Sequence, residues 1–565
     1  MQPKFSHTRV LTVTQDSDTI ASGKKAGIGK TFSIVAILTV LSKFVGLLRD
    51  MVIASCYGTG IVADAYNYAY MFTGNIFILF GGLGGPFHSS TVTVLGSRKS
   101  DQTAGTMISQ VFFYTFVGLA AATALVAAIA PFLVGFMAEH YDPKIADLAF
   151  GKQLFGQQLL LQLYIMLPLI ILAGLVGISY GILNVFNRVF WPSLSPALAS
   201  LSIIFAVLCF SSPQTRHLTG VPLAIGTLIG AVAQLLAQLP GSINTGLKFK
   251  LQFKPQPGFS EYCSMLWPAI FSTSVGQLIV YIDSAFTLGY LGEGAWTAIL
   301  SSNRLVQLPL GVLLTAMLVP ILPRFTEQAT ANKIDDLKDE LRRALRLLWF
   351  LSLPLTAILL VFPTQIVQVL FQRGNFTEES TAIVSLALVY LAPSIIFYVA
   401  RDLLTRVFYA FKDSKTPYYV ALIAIFIKTL LDWFFVTQTD LGVGGLSTAS
   451  TIITMVNLSL LTFFLKRKIG HLGFAKLVKP LSTMLIAGVH LVLNPICHTL
   501  MINVSQAVPS LAKITFLPLI VSLGAGCATG LAAYWVTCLA GGLEEPTMLS
   551  KRIAILQRFT PSNKS

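Results

Sequence analysis

Residues 223–239 read LAIGTLIGAVAQLLAQL, and residues 514–540 read ITFLPLIVSLGAGCATGLAAYWVTCLA. Neither run holds a charged residue. A helix built on either, with its flanks, rises about 1.5 Å per residue and crosses a hydrocarbon core of about 30 Å. The same pattern recurs through most of the 565 residues, of which 54% are hydrophobic and 11% charged, with a mean hydropathy of +0.73. A soluble domain carries about 25% charged residues. This chain lacks the charge to cover itself in water, so its fold class is all-α and it is a polytopic membrane protein.

Apolar runs bounded by charge, Pro or Gly give fourteen expected spans. They cover 32–56, 63–95 (interrupted), 105–138, 157–184, 189–211, 220–240, 261–290, 295–323, 347–370, 379–410, 417–437, 442–465, 479–502 and 512–540. The first 30 residues are polar, and the run after them is too long for the apolar region of a cleavable signal peptide. The amphipathic stretch KIDDLKDELRRALRLL (333–348) reads as a separate short surface helix between spans 8 and 9. The division this suggests is a polar tail over 1–30, six spans over 31–250 and six more over 251–470. Two extra spans follow over 471–545, and a second tail over 546–565. Paired six-helix lobes with an appendix suit a transporter.

The net charge of +15 invites a nucleic-acid reading, but the distribution of the charge opposes it. With the amino terminus inside, cytoplasmic segments hold 28 of the 39 Lys and Arg. The external loops hold five: Lys144, Lys152, Arg216, Arg373 and Lys513. That is the positive-inside pattern, with both termini cytoplasmic and no nucleic-acid partner. The six cysteines stand singly with no metal spacing, and read as small apolar fillers.

A charge at mid-bilayer is costly and marks function by default. Here such charges are Lys43, Arg49, Asp50, Asp64, Asp283, Arg304, Arg401, Asp402, Arg406, Lys428 and Asp432. Arg304 has no acidic neighbour in sequence, so it must face water, an anionic substrate or a carboxylate from another helix. Arg406 has a plainer reading, snorkelling to the interface beside Lys412 and Lys415. Lys428 and Asp432 share a helix face at i, i+4, as a structural salt bridge or as a site. Lys43 and Arg49 lie six apart, which puts them on different stripes of a regular helix.

Span 2 is broken by GGLGGPF (81–87), in which Gly81, Gly82, Gly84, Gly85 and Pro86 preclude a regular helix. The break is either a kink or turn, or a cavity-lining hinge whose freed N–H groups, with His88, meet an anion. The stretch GKKAGIGKT (23–31) lacks phosphate-loop spacing, so nothing here runs on ATP. No nucleophile–base pair suggests an enzyme, and no cofactor or metal set is expected.

Specific strings then carry a resemblance. SKFVGLLRDMVIASCYGTGIVADA (42–65), NRLVQLPLGVLLTAMLVPILP (303–323) and the segment 371–417 from FQRGNFTEES to RVFYAFKDSKTP resemble, in order, signatures of the MurJ/MviN lipid II flippases. These belong to the wider multidrug/oligosaccharidyl-lipid/polysaccharide exporter superfamily. GGLGGPFHSS looks most like cyanobacterial members. The resemblance implies fourteen helices, a bacterial cytoplasmic membrane, and translocation of lipid II for peptidoglycan assembly by alternating access. Lipid II is an undecaprenyl-pyrophosphate-linked disaccharide-pentapeptide. It also implies Lys43, Arg49 and Arg304 as pyrophosphate ligands, Asp50 and Asp64 as acidic or gating residues, and spans 13 and 14 as a groove for the lipid tail. The departures are in span 2, with Phe77 where the family has Arg and the GGLGG stretch where it soon after has Glu, and at Lys43 where it has Arg. Positions of a family cation site fall on Asp283, Lys428 and Asp432, where the lysine suggests that its ammonium takes the cation's place. Membrane lipids are the other expected partners. Rival readings are a flippase for another polyprenyl-pyrophosphate oligosaccharide, a drug exporter, an anion channel, and a scaffold for peptidoglycan synthesis enzymes.

Overall fold

The computed structural model describes residues 16–82, 84–99, 101–247, 249–250, 252–254, 256–493 and 517–548. Among the described residues every regular element is a helix. The first bundle holds α1 (Asp16–Tyr57), α2 (Ile61–Gly81), α3 (Pro86–Ser97), α4 (Ala104–His140), α5 (Leu148–Met166), α6 (Pro168–Val185), α7 (Phe190–Phe210) and α8 (Val221–Ile243). α9 (Phe259–Val275) packs on α3 and α4 of that bundle, and the second holds α10 (Leu278–Phe286) with a π-helical turn at Thr287–Leu291, α11 (Ala295–Thr330) and α12 (Ile334–Val361). It continues with α13 (Pro363–Phe371), α14 (Glu378–Leu391), α15 (Ser394–Ala410), α16 (Lys415–Thr437) and α17 (Val443–Ile469). Then come α18 (Ala475–Leu493) and α19 (Leu517–Ala540), which pack on each other and on α12 through Phe350, Met484, Leu491 and Tyr534.

Among the described residues eleven helical segments are long and apolar enough to cross a membrane, and twelve if α14 and α15, bent by 47°, count as one. In order they match expected spans three to fourteen. The first expected span lies inside α1, which starts at Asp16 rather than at 32. The second, 63–95, is α2 and α3 with the glycine break between them, and in α2 Asp64, Tyr66, Asn67 and Tyr68 are all buried. That composition suits a helix enclosed by other helices better than one in lipid. Residues 494–516, which carry Cys497 and the junction of the last two spans, the first half of the leading tail (1–15) and most of the trailing one (549–565) lie outside the described residues.

Several spans are more broken than their hydropathy indicates. Pro168 divides α5 from α6, Gly276–Gln277 divides α9 from α10, and Ala392–Pro393 divides α14 from α15. One expected element is absorbed. The stretch 333–348 is no separate surface helix but the first half of α12, because nothing after Leu348 breaks it. Its Leu337, Leu341, Leu345 and Leu348 are buried at helical spacing.

Packing follows from small residues, since apolar side chains gain little by leaving lipid for protein. A Cβ at Gly177 of α6 would come within 2.8 Å of Phe87 Cβ and 2.9 Å of the Phe80 carbonyl oxygen. That glycine lets the α2–α3 break lie directly against α6. In the turn before α16, Asp413 accepts from the Thr416 N–H and, at 2.6 Å, from Lys468 Nζ. Burial would raise the Asp413 carboxyl, but these bonds outweigh it and hold it below its ordinary range.

Candidate functional site

Arg49 on α1 folds back onto its neighbour, donating from Nε and Nη2 to Asp50 Oδ1 at 3.0 and 2.8 Å. Arg304 on α11 reaches the same oxygen from the other bundle, Nη1 to Oδ1 at 3.3 Å. Two guanidinium groups thus converge on one carboxylate oxygen. Asp50 is 8% exposed, while the arginine side chains keep 23% and 32% of their surface. The arginines are held in place yet remain open to a ligand.

Two cavities meet at this point. One, of about 380 Å³, is lined by Lys43, Arg49, Asp50, Arg304, Gln307 and Tyr398. The other, of about 540 Å³, extends into the first bundle past Tyr70, Tyr180 and Gln234. Lys43, Gly46 and Arg49 line both. This answers the six-residue spacing of Lys43 and Arg49: each borders both cavities, so basic residues about 120° apart on α1 face open volume. Gly311 makes room for the lysine, because a Cβ there would stand 2.5 Å from Lys43 Nζ. Three cations against one carboxylate leave the site a net charge of +2. Arg401 approaches through Tyr398, its Cζ 4.0 Å from the ring centroid. Arg406 pairs with Asp402 at 3.6 Å. Phe77 lines the second cavity without adding charge.

Asp64 lies away from both cavities. It is fully buried and caps α11 from another helix. Its Oδ2 accepts from the Gly294 N–H at 2.7 Å and from the Tyr141 hydroxyl at 3.0 Å. Its Oδ1 accepts from the Thr297 N–H at 3.1 Å and the Thr297 hydroxyl at 2.6 Å. A carboxylate at a helix N-terminus satisfies free N–H groups and opposes the positive end of the dipole. Gly294, at φ +83°, supplies the left-handed turn that aims its N–H there. Around Asp64 the bundles are latched again. Asn375 donates from its N–H to the Ser55 carbonyl and from Nδ2 to the Cys56 carbonyl, each at 2.8 Å, and the Thr59 and Ser380 hydroxyls meet at 2.8 Å. Lys144 reaches Glu379 at 2.7 Å. The sequence held no signal for these neutral latch residues, nor for Gln307, Tyr398 and Gln234.

The glycine break is stapled by its own bonds. Gly82 N–H donates to the Ile78 carbonyl and Gly85 N–H to the Gly82 carbonyl, both at 3.0 Å. Gly84, at φ +85°, donates to His88 Nδ1 at 3.0 Å, and His88 Nε2 meets Asn184 Nδ2 at 3.1 Å. With these N–H groups and His88 Nδ1 engaged, the break has the geometry of a braced kink, not of an anion cradle. Gly81 and Gly82 line the second cavity.

Between α10 and α16, Lys428 Nζ lies 2.5 Å from Asp283 Oδ1 and 2.5 Å from Asp432 Oδ1. Lys428 and Asp432 are fully buried, and none of the three lines either basic cavity. The ammonium sits where two carboxylates converge. Among the described residues no group of His, Cys, Asp or Glu is arranged to hold a metal ion.

Two helical bundles latched at one end, with a basic cavity between them, define a multi-pass membrane transporter. The comparisons with known proteins narrow the class. The sequence profile of the family described as "Lipid II flippase MurJ" matches residues 53–536. The "Probable lipid II flippase MurJ" of Synechocystis sp. is 33% identical over 465 residues, covering 80% of this chain and 84% of that protein. The protein of the same description from Vibrio cholerae is 27% identical over 451 residues, covering 76% and 82%. A solved structure described as "Lipid II flippase MurJ, inward closed conformation" superposes with a TM-score of 0.69 at 23% identity, covering 89% of this chain and 97% of that one. This chain belongs to the MurJ lipid II flippase family.

Proposed function

We propose that this protein is a lipid II flippase of the bacterial cytoplasmic membrane, with fourteen spans and both termini cytoplasmic. It carries its cargo by alternating access, and no covalent step is required. The observation that carries the reading is the convergence of Arg49 and Arg304, from opposite bundles, on a single oxygen of Asp50. A diphosphate offers several anionic oxygens in place of that one, and guanidinium forks bind such oxygens in pairs. The site's net +2 offsets a diphosphate charge of about −2, so the head group enters the cavity without stranding charge in a low dielectric.

On the expected orientation the Asp64 latch lies at the outer face, and the cavities open toward the cytoplasm. Lipid II then enters from the inner leaflet and displaces Asp50 from the arginines. Release of the latch exposes it to the outer side, and the membrane potential favours the return of the positive cavity at about 2.3 kcal/mol per charge per 100 mV. The lobes divide near residues 250 and 470, and spans 13 and 14 form the tail groove. Lys428 holds the cation position of this chain, so Asp283 and Asp432 need no sodium. A drug exporter is disfavoured because it presents carboxylates, not guanidinium groups, to cationic cargo.

The test is rescue of a bacterial strain depleted of its own lipid II flippase. The wild-type chain restores growth and cell shape, and Arg49→Ala and Arg304→Ala, expressed at equal levels, do not. Full rescue by both variants would instead favour a scaffold for cell-wall enzymes.

A further inference from the structure

The second cavity opens from the basic site but differs from it chemically. Beyond Lys43 and Arg49 no carboxylate, ammonium or guanidinium lines it, and its polar groups are Tyr70, Tyr180, Ser200, Thr227 and Gln234, with Ser42 at the rim. Three of these are already engaged. The Tyr180 hydroxyl bonds Ser195 Oγ at 2.5 Å, Thr227 Oγ1 donates to the Leu223 carbonyl at 2.8 Å, and Ser200 Oγ donates to the Pro196 carbonyl at 3.3 Å. Gln234 differs. It is 6% exposed and lines the cavity, yet among the described residues its side-chain amide meets no hydrogen-bond partner. A primary amide carries two donors and two acceptor lone pairs, and at Gln234 they open onto the cavity and are free to bond what enters it. Close by, Tyr70 lies against Gly74 so tightly that a Cβ there would stand 2.3 Å from the ring. That glycine leaves the room in which the ring lies along the cavity wall.

We propose that this cavity is a neutral carbohydrate subsite, receiving the sugar joined to the diphosphate, with the Gln234 amide as its principal hydrogen-bonding contact. The inference rests on the diphosphate reading above and adds where the sugar goes. A sugar attached to the diphosphate begins one bond beyond the phosphorus, and Arg49 borders both volumes. Hydroxyl and acetamido groups are uncharged and need donors and acceptors together, which an amide supplies. Pyranose C–H faces suit a fixed tyrosine ring. A peptide's amines would call for carboxylate partners, and no carboxylate lines these walls. A volume of about 540 Å³ lies within the range of about 300–1,000 Å³ typical of small-ligand sites.

The test uses the purified full chain and three lipids: undecaprenyl diphosphate, lipid I with one sugar, and lipid II with two. Gln234→Leu keeps the volume and removes the amide. It should weaken both sugar-bearing lipids about 5- to 20-fold while leaving undecaprenyl diphosphate within about 2-fold. Thr227→Val, a milder change of the same wall, should act in the same direction. Arg304→Ala should weaken all three lipids together. Equal affinity of wild type and Gln234→Leu for lipid II overturns the subsite, as does an equal loss for the sugar-free lipid. Failure of the wild type to bind undecaprenyl diphosphate at all overturns the diphosphate reading itself.

Discussion

Among single residues the account rests on how the cations are held. Arg304 and Arg49 share one oxygen of Asp50, so each is oriented yet has donors to spare. Lys43 is placed differently, by the absence of a side chain at Gly311. Gly311→Ala therefore gives a clean prediction. The new methyl group meets only the flexible end of Lys43, and Ala favours the helix by about 1 kcal/mol over Gly. Thermal stability should hold or rise while undecaprenyl diphosphate binding weakens, as read by a binding titration beside a melting curve. Unchanged binding would remove Lys43 from the site. The sequence made these charges conspicuous, because a charge in an apolar run is visible without coordinates. It could not bring them together: on a helical wheel Lys43 and Arg49 diverge, and only the pair of cavities that each borders reconciles them. Gln234, an uncharged residue in an apolar run, gave no warning at all.

Among elements the informative contact is Asp64 on the N-terminus of α11. Asp64→Asn keeps the shape but turns a nitrogen donor toward N–H and hydroxyl donors, at a cost of about 1–3 kcal/mol. A loss of that size shifts the population toward the unlatched form at least several-fold. Cys56, 3% exposed at the latch, reports this directly. With the other five cysteines replaced, a membrane-impermeant maleimide added from outside should label Cys56 faster in Asp64→Asn than in the parent. Equal labelling would mean that the bond does not hold the two bundles closed. Hydropathy located the elements well, because lipid thickness sets their length. It missed the breaks at Pro168, Gly276 and Pro393, since a broken span is as apolar as a whole one. It also cut α12 too short, because a change from amphipathic to apolar composition is not a change of backbone.

For the molecule as a whole, the two bundles meet at the latch and part around a cavity of net positive charge, and the proposed cycle uses a driver that senses that charge. Lys428 bears on what the driver is. Its ammonium already sits between Asp283 and Asp432, so sodium should stimulate transport no more than potassium or choline does. Removing it by Lys428→Ala leaves two buried carboxylates, and losing one partner of such a group costs about 3–5 kcal/mol. The variant should melt earlier and, unlike the wild type, regain stability on addition of sodium chloride but not choline chloride. Sodium-specific stimulation of the wild type would contradict the assignment. The central claim, that arginines from both bundles escort a diphosphate across the bilayer, is tested most directly in reconstituted vesicles by counting lipid II delivered to the opposite leaflet. The account predicts transfer by the wild type, loss of it in Arg304→Ala, and a partial defect in Arg304→Lys, which keeps the charge but not the fork. Equal transfer by all three would contradict it.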